Sequence, residues 1–114
     1  MYSKMVRAYF YSAKNNTEEL IEVNDLNLKK YYNLLSCTSI EMLIANIPNT
    51  NDAYYLVFDG LGYYNNTKTS NQWVTDAMRI PLIGDCLLVK NINDKQYVDI
   101  DINLNTFVSK YYSN

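Results

Sequence analysis

Histidine does not occur in this chain. Its absence removes the commonest general base and metal ligand, and with them the Ser/His and Cys/His nucleophile pairs. Cysteine is scarce as well. Cys37 and Cys86 stand far apart and outside any CxxC pattern, so they read as small buried hydrophobes and not as a redox or metal pair. Only three glycines and two prolines punctuate the 114 residues, and each glycine is expected where a side chain would obstruct the backbone. No run approaches the ~20 apolar residues of a membrane span. Lys4 and Arg7 interrupt the first residues, so no signal peptide is expected. Without one, the Asn15-Asn16-Thr17 and Asn65-Asn66-Thr67 acceptor patterns read as coincidences of an asparagine-rich chain. There is no Walker loop, HExxH or calcium-loop pattern, and Gly60-Leu61-Gly62 is only the first half of a dinucleotide fingerprint. Ten basic against twelve acidic residues give a net charge of −2 without blocks of either sign. That balance offers no basic footprint for nucleic acid.

What is present suffices for one core. A 48% hydrophobic content over 114 residues lets folding bury roughly 60–70% of the unfolded surface. No cofactor or metal is called for. Val6, Ala8 and Phe10 alternate with Arg7, Tyr9 and Tyr11 as a first strand. Residues 12–19 read as a loop and residues 20–23 as a second strand. Asp25 then serves as an N-cap for a helix carrying Leu28, Tyr31/Tyr32 and Leu35. Strands follow at residues 40–47 and 53–58, separated by the turn cluster of residues 48–52. After Asp59-Gly60, a hairpin-type dipeptide, Tyr63 and Tyr64 are expected to return as a short strand. Residues 73–78 form one or two helical turns that Pro81 closes. Residues 86–89 and 97–102 make a hairpin. Leu104, Phe107, Val108 and Tyr111 form a last helical stripe capped by Asn103 or Asp101. The fold class expected for residues 1–114 is therefore a single α+β domain: a four- to six-stranded, mostly antiparallel sheet packed with two helices.

This order of elements resembles a family of small phage and mobile-element proteins known only as a domain of unknown function. The likeness spans residues 20–102. It rests on the strand ending in Asp59-Gly60, where the family has a D-(D/E)-E-G-L turn, and on Pro81-Leu82-Ile83-Gly84-Asp85-Cys86-Leu87-Leu88-Val89. This chain lacks the turn's extra acids, and it has a tyrosine–asparagine loop where the family often has Pro- and Asn-containing segments. The resemblance implies a mobile-element context but no activity. A composition rich in Asn, Tyr, Ile and Lys, all A/T-rich codons, agrees with a low-GC bacterial or viral genome.

Twelve tyrosines include the adjacent pairs 31–32, 54–55, 63–64 and 111–112. Neighbours in a strand face opposite sides, so one of each strand pair is expected in the core and one at the surface. The segment 63–79 gathers aromatics, amides and two cations. Tyr63, Tyr64, Asn65, Lys68, Asn71, Trp73 and Arg79 are its candidate ligand or partner contacts. Asp99 and Asp101 share a strand face and read as solvent-facing, with no catalytic residue expected. The expectation is a non-enzymatic binding protein, cytoplasmic in a bacterial host, inhibiting a host defence protein by stoichiometric contact as anti-CRISPR proteins do. One alternative is a small-ligand binder that sequesters a nucleotide immune signal, with Tyr64, Lys68, Trp73 and Arg79 as its contacts. A carboxylate-dependent enzyme is the other, and a homo-oligomer is compatible with each.

Overall fold

A computed structural model of the protein describes residues 5–112. Alternating apolar residues make β1 (Met5–Ser12) and β2 (Thr17–Asn24) one hairpin, paired from Met5↔Asn24 to Ser12↔Thr17. The expected loop at 12–19 shrinks to residues 13–16, because β2 is an edge strand whose outer side tolerates Thr17, Glu18 and Glu19. Helix α1 (Leu28–Leu35) buries Tyr31 and Leu35 on one face. Its cap is Asn27, whose side chain accepts from the Lys30 N–H at 2.9 Å. Asp25, the expected cap, occupies the preceding turn at φ 51°.

Strands β3 (Ile40–Asn46), β4 (Ala53–Asp59), β5 (Cys86–Ile92) and β6 (Gln96–Val98) complete a six-stranded antiparallel sheet. Its order is β2-β1-β5-β4-β3, with β6 beside β5. One edge of β5 is shared: β1 meets it at Tyr9–Tyr11, and β6 takes over from Lys90 onward. The expected strand at 97–102 therefore stops early. Beyond Val98 the chain turns to β1, where the Ile100 N–H donates to Arg7 O at 3.0 Å and the Arg7 N–H donates to the Asp99 carboxylate at 2.9 Å.

Both faces of the sheet are covered. Tyr11, Tyr54, Leu56, Cys86 and Leu88 pack under α2 (Gln72–Met78) and α3 (Leu104–Phe107), the latter continuing as a π-turn over Val108–Tyr112. Ala8, Tyr55, Val57, Leu87 and Val89 pack under α1. Among the described residues, three short helices thus stand where two were expected. Double coverage also overturns the core-and-surface expectation for Tyr54-Tyr55: both are buried, one in each layer. Cys86 and Cys37 are free thiols that pack on opposite faces. The radius of gyration, 13.6 Å, matches the ~13 Å of one compact domain this long.

Tyr63 and Tyr64 do not return as a strand. Both sides of β4 are occupied, by β3 and β5, so no edge remains for them to join. They lie in a 3₁₀ turn, Gly62–Tyr64.

Candidate functional site

That turn is the centre of the site, and the residues beneath it explain why it is fixed. Asp59, at the end of β4, accepts the Leu61 N–H at 2.9 Å through one carboxylate oxygen. Through the other it accepts the Lys68 ammonium at 2.7 Å. Lys68 also donates to Leu35 O at 2.9 Å, satisfying a carbonyl that the end of α1 leaves open. One largely buried cation therefore ties α1, β4 and the loop together. Beside this pair, burial first and the Asp59 carboxylate next push the Cys37 thiol above its usual pKa.

A second clasp closes the loop from the other side. Gly84 N–H donates to Thr69 O at 2.8 Å and Asn71 N–H to Leu82 O at 2.8 Å, flanking a single bridge between Ser70 and Ile83. Gly84 adopts φ +86°, and a Cβ at Gly62 would stand 2.9 Å from Ile83 O. At these two positions only glycine fits. Asn71 is fully buried: its amide donates to Tyr11 O and Gly84 O at 3.0 and 2.9 Å, while its oxygen caps α2 through the Val74 N–H at 3.1 Å.

Above these anchors stands an exposed apolar patch. Leu61 is 49% exposed, Tyr63 63%, Tyr64 84% and Ile80 41%. The Tyr63 hydroxyl donates to Pro81 O, which holds the Ile80-Pro81 segment against the turn. Asn65 accepts from the Thr67 N–H and hydroxyl at 3.0 and 2.6 Å, so the exit from the turn is ordered as well. Arg79 caps α2 in the left-handed region at φ 62° and is exposed, next to Ile80 in the chain.

The seven sequence-derived candidates thus separate. Tyr63, Tyr64, Asn65 and Arg79 are exposed around the patch. Lys68 and Asn71 point inward and serve the fold. Trp73 is half-buried against Tyr11, with ring centroids 6.3 Å apart, and borders a different, open hollow of about 310 Å³ with Asn16, Asp76 and Asn105. Sequence reasoning missed Leu61 and Ile80. The signal was available: a leucine between two glycines and an isoleucine before a proline are both confined to turns, away from the periodic core positions.

Elsewhere Asp99 and Asp101 are engaged in structure. Asp99 holds the β1 main chain, and Asp101 accepts the Tyr54 hydroxyl at 2.6 Å and Lys90 at 2.9 Å. Among the described residues, no three of Cys, Asp and Glu come together as metal ligands would. No helix among them is long and apolar enough to cross a membrane. No protein-family model, no curated protein and no solved structure matches the chain.

Proposed function

We propose that this protein acts without catalysis, by docking on a partner protein through Leu61, Tyr63, Tyr64 and Ile80, with Arg79 at the rim. The observation that carries this reading is Tyr64, 84% exposed on a turn pinned from below by Asp59 and laterally by Pro81. Fixing aromatic surface before contact lowers the ordering cost of association. Tyrosine and arginine are also the residue types that most often anchor interfaces. The resemblance to phage and mobile-element proteins supports the narrower reading that the partner is a host defence protein held inactive by occupancy. A nucleotide-binding role draws less support, since Lys68 is committed to Asp59 and only Arg79 is left to meet a phosphate in this segment.

The test is a paired capture from lysate of a phage-susceptible low-GC bacterium, with the wild-type chain and the Tyr64→Asp variant side by side. A partner retained by the wild type and lost by the variant is expected. Its affinity should fall about 30-fold or more, corresponding to the ~2 kcal/mol of an anchoring residue. Equal retention by both chains would remove the patch from the account.

A further inference from the structure

The sheet ends at β3, which among the described residues pairs only with β4. Two main-chain bonds set the phase of that ladder: Gly60 N–H donates to Ser39 O, and Ile47 N–H to Asp52 O, both at 2.9 Å. Both pairs extend the β3–β4 register, and bonded and non-bonded pairs alternate along an antiparallel ladder. Glu41, Leu43 and Ala45 therefore turn their N–H and C=O groups toward β4. Ile40, Met42, Ile44 and Asn46 turn theirs outward, and no described residue takes them up.

Free edges are ordinarily protected by charge, proline or a bulge. β3 has one charged residue, Glu41, no proline and an unbroken register, and Ile44 is 55% exposed on it. The opposite edge differs: β2 carries Glu18, Glu19 and Glu22. One edge repels a like strand and the other admits it.

We propose that β3 pairs with β3 of a second copy of this chain, antiparallel, about a two-fold axis at Leu43. In that register Ile40 opposes Asn46 and Met42 opposes Ile44 of the second copy, as bonded pairs that satisfy every outward group. Glu41 opposes Ala45, so no like charges meet. Leu43 opposes itself at a non-bonded position, where Cα atoms approach to about 4.5 Å. Moving the axis to Met42 or Ile44 leaves one end of the edge unpaired. Pairing β3 with β2 of another copy would set three glutamates against an apolar strand and propagate as an open fibre. The self-paired dimer is closed, with one sheet running through both copies. A contact of seven residues a side is small beside the roughly 20–30 residues a side of stable interfaces, so the expected dissociation constant is micromolar.

Sedimentation equilibrium of the full chain tests this. The wild type should approach twice the 13.3 kDa chain mass at about 100 μM, well above a micromolar Kd. Ile44→Pro removes only an outward N–H and leaves the β3–β4 ladder intact. It should be monomeric with unchanged circular dichroism, as should Ile44→Lys. Leu20→Lys on β2 and Tyr64→Asp should remain dimeric, which separates this inference from the partner-docking reading. On a Cys37→Ser background, Leu43→Cys should form an intermolecular disulfide under mild oxidation, its Cα spacing lying within the range a disulfide spans. Met42→Cys, opposed by Ile44, should not. A monomeric wild type at that concentration, a dimer surviving Ile44→Pro, or equal cross-linking of the two cysteine variants would overturn the proposal.

Discussion

Lys68 supports the exposed patch without being part of it. Its side chain is 12% exposed and its Asp59 partner's only 5%, so removing the cation leaves a carboxylate buried and unpaired. Lys68→Met should cost about 3–5 kcal/mol in urea unfolding. The double variant with Asp59→Asn should regain much of that loss; no recovery would show that the pair is not the cause. Asn71 makes a finer test. Asn71→Asp keeps the oxygen that caps α2 but withdraws both donors from buried carbonyls. It should destabilise by roughly 2–4 kcal/mol, more than the ~1 kcal/mol of a lost cap alone. A loss no larger than that of a cap would mean the two carbonyls find other partners.

Glycine scarcity becomes intelligible at the scale of the elements. Asn16, Asn49, Asn93, Asp25 and Asp94 occupy the left-handed region in turns, and Ser36 and Arg79 occupy it at the ends of α1 and α2. Asparagine supplies the N-caps too, at Asn27, Asn71 and Asn103. Ser36→Gly should therefore stabilise the protein by up to about 1 kcal/mol, visible as a raised melting temperature; a lowered one would contradict the assigned cap geometry. Periodicity revealed most of the strands, the α1 stripe and the last helix, because each has a repeating apolar side, while the choice of Asn103 over Asp101 as its cap comes from the structure. It could not reveal which strands are neighbours. That ignorance produced the errors at Tyr63-Tyr64 and at residues 97–102, where occupied edges, not local preference, decide the outcome. In the candidate site, composition located the loop, but the inward turn of Lys68 and Asn71 depends on contacts with Leu35 and Tyr11, distant in sequence.

For the whole molecule, two covered faces mean that phenols are buried in both layers. Burial foremost, then the hydrogen bond to Glu18, raises the Tyr11 pKa well above its usual value. Burial and Tyr97 do the same for Tyr31, and burial and Asp101 for Tyr54. A group raised on folding contributes stability that is complete below its unfolded pKa, about 10 for tyrosine, and is lost as pH rises beyond it. Phenolate absorbance should therefore appear in two phases, with Tyr11, Tyr31 and Tyr54 contributing only to the later one, together with unfolding. A single phase with no loss of structure would contradict the three-layer core. The central claim, that the pinned aromatic turn is where a partner docks, is tested most directly by a photo-crosslinking amino acid placed at position 64 in living low-GC bacterial cells. The account predicts one dominant protein adduct from position 64 and none from position 20 on β2. No adduct at 64, or the same adducts from both positions, would contradict it.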